Sequence, residues 1–226
     1  TWFQLGDKDL ATHIRRTQLL KEGLKLSEVT RNLSSQLGLK HNILPMSESP
    51  VQTMIQTDQG KLSFQEYFVK HKCDPKIEKI EFIGSEVAEI PTSLEGLIKD
   101  DKFTGIIICP SNPYLSVDPI LSIDKIRTFL VETKIPILAV SPIIDNDSIK
   151  GPTAKIMDEM KIEPSVNAIA AHYSELINIL VIDQKDKDNQ ANIGSISYLV
   201  DSIYMKNNED KISLAKICLE ELRKLA

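Results

Sequence analysis

The stretch GIIICPSNP, residues 105–113, decides the fold. Its first half is an unbroken apolar run of strand length with no polar alternation, the pattern of a strand covered on both faces, and such strands belong to parallel sheets. IPILAV at residues 135–140 and INILVID at residues 177–183 repeat it. Residues 93–101 and 124–132 read as helices preceding the first two runs, and a helix between parallel strands implies right-handed crossovers. Residues 210–225 read as a closing helix, with Ile212, Leu214, Ala215, Cys218, Leu219 and Leu222 available for one broad apolar face. The resulting expectation is an α/β, Rossmann-like doubly wound and mostly parallel sheet.

Upstream the period changes. Residues 7–22 read as a helix with Asp7 as N-cap and Gly23 after its end, and residues 27–37 as a second with Ser27 as N-cap and Gly38 after it. Four short strands are then predicted over residues 42–46, 51–57, 61–69 and 76–83, with TDQG (residues 57–60) as a turn. Strands this closely spaced pair antiparallel. Residues 1–90 therefore form a helical and antiparallel insertion region, and residues 91–226 the sheet region of the same domain. A chain of 226 residues has room for one such domain.

Composition removes several function classes. Lys and Arg sum to 27 against 32 Asp and Glu, a formal net charge of −5, so the basic footprint of a general nucleic-acid binder is absent. Cys73, Cys109 and Cys218 lie far apart and show neither a disulfide framework nor zinc spacing, which fits reduced thiols in a cytoplasmic protein. The four histidines, His13, His41, His71 and His172, show no metal-ligand spacing either. The most apolar stretch, residues 135–144, is too short to span a bilayer and is interrupted by Pro136, Ser141 and Pro142. The chain opens without Met and runs directly into a dense polar motif, so it is expected to be a fragment whose N-terminal part is missing. The nine glycines support this: the two closest, Gly96 and Gly105, are nine positions apart, and no glycine-rich phosphate loop can be drawn.

In open parallel sheets ligands lie beyond the carboxyl ends of the strands. There GIIIC runs into Pro110-Ser111-Asn112-Pro113 and IPILAV into Ser141-Pro142, where prolines preset φ and keep the preceding residues extended. Ser111, Asn112 and Ser141 would offer hydroxyl and amide groups to a crevice. Ordinary turns use the same residues. Farther on, Lys150-Gly151-Pro152 opens a helix reaching about residue 160, with Pro152 at its first position. Its N-terminus, with Lys150 and Lys155, suits a phosphate, although a routine helix start with two solvated lysines reads the same. Lys8 stands in a first helical turn, where the macrodipole disfavours a cation, and this broken rule marks it out. Asp9 is in reach of His13 at i+4. Ser141 and His172 lack the spacing of a hydrolase triad. The alternating charges of QKDKD, residues 184–188, read as a solvated loop.

Five motifs occur in order: LGDKDLATHIRRT (residues 5–17), ILPMSESPVQT (43–53), FQEYFV (64–69), PSNPYLSVDPIL (110–121) and AVSPIIDNDSIKGPTAKIM (139–157). Together they resemble the 2-phospho-L-lactate transferase (CofD) family of deazaflavin coenzyme F-420 biosynthesis. The resemblance covers residues 1 to about 175; beyond that only the order of elements agrees. It implies transfer of a phospholactyl or phosphoenolpyruvyl group from a guanosine-diphosphate-linked donor to the hydroxyl of the deazaflavin precursor Fo, with release of GMP and a requirement for Mg²⁺. It also implies small-molecule partners and neither nucleic acid nor membrane, and it is compatible with a homodimer.

By the same resemblance Lys8 matches a basic position that contacts Fo. Ser111 and Asn112 match P-S-N-P, and Ser141, Gly151 and Pro152 match S-P and K-G-P around donor or acceptor. Catalytic and metal-binding residues remain unassigned. Family members begin with a glycine-rich strand-loop-helix and an aspartate-containing loop that this chain lacks, so the fragment alone is expected to be inactive. Two alternatives stand beside this reading. One is a sugar-nucleotide-binding regulator of the related gluconeogenesis-factor family, whose corresponding loop reads P-G-S-L. The other is an inactive remnant of the same fold.

Overall fold

Three isoleucines of the deciding stretch form a short strand, and everything that positions the site is arranged around it. The computed structural model describes residues 4–100, 102–149 and 151–225. Two helices come first, α1 (Asp7–Lys21) and α2 (Leu26–Gln36). The strands β1 (Gln52–Thr57), β2 (Gly60–Ser63) and β3 (Ile77–Ile83) follow, then helix α3 (Thr92–Lys99). The sheet region continues with β4 (Ile106–Ile108), α4 (Asp118–Leu121), α5 (Asp124–Glu132) and β5 (Ile137–Val140). A small hairpin, β6 (Ile143–Ile144) and β7 (Asp147–Ser148), leads to α6 (Thr153–Glu159), α7 (Val166–His172), β8 (Ile179–Ile182), β9 (Ser197–Val200) and α8 (Asn208–Leu225).

The main sheet is parallel throughout, in the order β4-β5-β8-β9. Successive side chains of a strand point to opposite faces, and both faces are covered. Ile137, Ala139, Leu180 and Ile182 join Ile156, Met157, Ile169 and Tyr173 from α6 and the α7 segment on one side. Leu138, Val140, Ile179 and Val181 meet Ile203 and the Leu214, Cys218, Leu222 stripe of α8 on the other. The β8 run ILVI is buried at every position, as its lack of alternation implies. Gly105 leaves room for α8: a Cβ there would lie 3.0 Å from Leu222 Cδ1.

The second sheet, β2-β1-β3, is antiparallel, with the TDQG turn joining β1 to β2 and Gly60 at φ +106°. Two predicted strands are corrected. Residues 42–46 form none: the neighbouring Ser47 and Glu48 are tied to the Glu89 carbonyl, with Glu48 N–H 2.7 Å from it, and Glu48 Oε2 accepts from Ser27 N–H. The 61–69 strand stops at Ser63. There Glu66 Oε2 accepts from Ser63 N–H and Oγ while Ser63 Oγ accepts from Glu66 N–H, a reciprocal cap that starts a helical turn. A π-helical segment, Glu66–Lys70, follows and buries Tyr67.

The helix caps also differ by a residue or two. Gly6 rather than Asp7 caps α1, Lys25 rather than Ser27 caps α2, and Pro152 precedes α6 rather than opening it. β9, α7 and the β6–β7 hairpin are additions to the predicted elements. Near the proposed division at residue 90, Ile90 packs with Ile123 and Ile126, and Met46 and Leu94 join them, so core material runs across that point.

Candidate functional site

The carboxyl ends of β4, β5 and β8 lie side by side, because Ile108 pairs with Ala139 and Val140 with Val181. Beyond them stand Ser111 and Asn112, then Ser141, then Asp183. The chain turns immediately after Pro110 because Asn112 caps the next segment: its Oδ1 accepts from Leu115 N–H at 3.0 Å, opening a second π-helical stretch, Pro113–Val117. Such stretches recur at functional sites. The bond also fixes the amide orientation and leaves Nδ2 buried without a partner, the one such side-chain atom among the described residues. A buried donor left unpaired costs about 1–3 kcal/mol and asks for an acceptor.

Ser141 is fully buried. Its Oγ donates to Ile143 O at 3.0 Å and accepts from Ile143 N–H at 3.1 Å, so its hydroxyl shapes the turn into β6 and is spent there. The hairpin then closes through Asp145 and Asn146, both left-handed at φ +53° and +61°. Ser148 Oγ donates to Gly151 O at 2.9 Å, which brings the Gly151-Pro152 start of α6 to the hairpin. Gly151 itself is at φ +73°, a region that favours glycine. Lys150 lies outside the described residues.

The sequence reading missed what pins this hairpin. Asp186, expected in a solvated run, is fully buried, and both its carboxylate oxygens accept from Asp145 N–H, at 3.2 and 3.1 Å. Asp183 accepts from Lys185 and Ile203 N–H and is almost as buried. Both sit within four residues of the end of β8, and an acid directly following a fully apolar strand was the available signal. Their oxygens are turned to backbone N–H groups. Among the described residues no three His, Cys, Asp or Glu side chains group so as to hold a metal ion.

Ser111, Asn112, Ser141, Gly151 and Pro152 thus belong to neighbouring strand ends and one hairpin. Lys8 does not join them by any described hydrogen bond. It is exposed in the first turn of α1, its carbonyl accepts from Thr12 Oγ1, and α1 packs against α2 with Leu19 as its buried side chain. No Asp9–His13 ion pair forms among the described residues, and His172 is held instead by Asp118, Nε2 to Oδ1 at 2.8 Å. None of the described helices is long and apolar enough to cross a membrane.

Residues 1–216 match the family model described as 2-phospho-L-lactate transferase CofD. The 2-phospho-L-lactate transferase of Methanosarcina mazei is 35% identical over 221 residues, covering 96% of this chain and 71% of that protein. Its counterpart from Methanosarcina acetivorans is 39% identical over 188 residues, covering 83% and 60%. That of Methanococcoides burtonii is 39% identical over 183 residues, covering 80% and 58%. The chain thus spans less than two thirds of the last two. None of these relatives bears out the expectation that the residues are inactive by themselves. A UPF0052-family protein from Bacillus halodurans superposes with a TM-score of 0.59 at 14% identity, over 89% of this chain and 69% of its own, a likeness of fold alone. Five ordered motifs, a parallel sheet whose strand ends gather the last two, and a family match over residues 1–216 converge on one statement: this chain belongs to the 2-phospho-L-lactate transferase CofD family.

Proposed function

We propose that the chain contributes the strand-end crevice of a transferase of coenzyme F-420 biosynthesis. It would move a 2-phospho-L-lactyl or phosphoenolpyruvyl group from a guanosine-diphosphate-linked donor to Fo. In that reaction the Fo hydroxyl oxygen, giving up its proton to solvent, bonds to the phosphorus bearing the lactyl oxygen, the bridging P–O bond breaks, and GMP leaves with the electron pair. Positioning and charge stabilisation dominate phosphoryl transfer, so hydrogen-bond donors aimed at non-bridging phosphate oxygens are the parts to look for. Mg²⁺ is proposed on that chemistry alone. We further propose a soluble, cytoplasmic location and a homodimer.

The observation that carries the reading is the unpartnered Asn112 Nδ2 at the carboxyl end of β4. A phosphate oxygen supplies the acceptor it lacks, and the proline-fixed turn holds the amide in place before the ligand arrives. Lys8 is proposed to meet the acidic deazaflavin ring of the acceptor. This is supported by its exposure and by the absence of any ion pair to its ammonium among the described residues.

The test uses the full-length enzyme, with Fo and the guanosine-linked donor varied in turn. A hydrogen bond to a charged group is worth roughly 1.5–3 kcal/mol, so Asn112→Ala should lower turnover about 10- to 150-fold, while loss of the Leu115 cap, worth about 0.5–2 kcal/mol, lowers the melting temperature by about 1–8 °C. Lys8→Ala should raise the Fo KM and leave donor binding unchanged. An Asn112→Ala variant that melts far lower yet turns over normally once folded would make the loop merely structural.

A further inference from the structure

A second polar cavity lies between α2 and α3, away from the motifs at the strand ends. It measures about 310 Å³ and is lined by Arg31, Ser34, Lys40, His41, Asn42 and Ser93, among others. No Asp or Glu lines it, although the chain as a whole is acidic, with a net charge of −5. None of these six side chains makes a hydrogen bond or ion pair among the described residues; Ser34 is half-buried and the other five are exposed, so two cations, an imidazole, an amide and two hydroxyls are open to a ligand in one place.

Two ordinary explanations fail. Basic groups near a helix C-terminus often cap its last carbonyls. Here the backbone has done so: Gly38 N–H bonds to Ser35 O and Leu39 N–H to Ser34 O, both at 3.0 Å, with Gly38 at φ +72°. Solvated charges on a convex face are the other explanation, but these groups line a concavity with Leu44 and Leu97 as an apolar wall. Ser93 lies in the first turn of α3, a helix whose N-cap, Pro91, offers no side-chain acceptor, so the positive end of that dipole adds to the same side.

We infer that this cavity binds a small phosphorylated organic anion, its phosphate held by Arg31 and Lys40 and its carbon part against Leu44 and Leu97. Arg31 supplies the planar fork that matches two phosphate oxygens and Lys40 a point charge. The volume is at the low end for ligand pockets and suits a three-carbon phosphate. The inference does not rest on the proposed transferase reaction.

The test is titration of the chain with glycerol 3-phosphate, inorganic phosphate and lactate, followed by amide chemical shifts and calorimetry. Glycerol 3-phosphate should bind, inorganic phosphate more weakly, and lactate not at all, with shifts at Ser34, Asn42 and Ser93. Arg31→Ala should weaken binding about tenfold or more, the weight of one charge-assisted hydrogen bond, and Arg31→Lys should restore part of it. Arg31 and Lys40 are both exposed, so neither substitution empties the core. Lactate binding as well as glycerol 3-phosphate, shifts confined to other surfaces, or an undiminished affinity in Arg31→Ala would each overturn the inference.

Discussion

Replacing Glu159 tests how the antiparallel sheet is fastened to the parallel one. Its side chain is 14% exposed; Oε2 accepts from Ile77 N–H at 3.0 Å at the start of β3, and Oε1 pairs with Lys155, which also donates to Pro75 O. Ile77 is itself 1% exposed. In Glu159→Ala the Ile77 N–H loses its acceptor inside the protein, costing about 1–3 kcal/mol, and the half-buried ion pair disappears for up to ~1 kcal/mol more. The total of about 1–4 kcal/mol corresponds to a fall in Tm of about 2–16 °C for a chain of this size. Glu159→Gln keeps an amide oxygen for Ile77 and loses only the charge, so its Tm should fall by no more than about 2–4 °C. Thermal melts of the two variants side by side decide the matter. Equal losses would mean that the charge, not the buried N–H, carries the contact; an Ala variant within a degree of native would mean that the sheet is held by other contacts.

Three further outcomes are expected from the same geometry. Gly84 is at φ +91° and a Cβ there would lie 2.6 Å from Pro50 O, so Gly84→Ala should cost about 2–4 kcal/mol; Gly96, inside α3 with open space around it, should tolerate Ala and gain up to about 1 kcal/mol, both read as Tm. Hydrogen bonds from Lys61 and then Lys79 hold the Glu81 carboxyl down at about 2 against an ordinary 4.5, so its contribution is present above the ordinary value and is lost as pH falls through the folded one. Glu81→Gln should therefore flatten the acid side of the stability profile in that window, more so at low salt. Burial, and then the neighbouring Cys109, pushes the Cys218 thiol up to about 11, while Cys109 is exposed. Alkylation near neutral pH, read by mass spectrometry, should mark Cys109 first and Cys218 only on unfolding.

Burial on two faces leaves a direct trace in composition, and that is why the parallel sheet was legible. GIIIC, IPILAV and INILVID each contain a strand, and the helix predicted over residues 124–132 is found at those residues. The strand-end motifs could be placed for the same reason, since a strand that ends in Pro or Asp says where its loop begins. The order of the five motifs sufficed for the family. Local capping was also written in the chain but was overlooked: Ser63 and Glu66 form an S-x-x-E box that ended a predicted strand early.

What no window of sequence contains is a partner far along the chain. Glu48 meets Ser27 N–H and the Glu89 carbonyl, Glu159 meets Ile77 N–H, and Asp186 meets Asp145 N–H across 41 positions. Each joins segments whose own patterns are silent about the other. Read alone, QKDKD is a run of charges that water would solvate; only the fold closes over Asp186 and gives its carboxylate a backbone N–H in place of water. The same holds at the site. The sequence determined that Asn112 stands after a strand, whereas only the tertiary packing decided that its amide nitrogen would be buried, oriented by Leu115 and left without an acceptor, because burial is a property of everything that surrounds an atom.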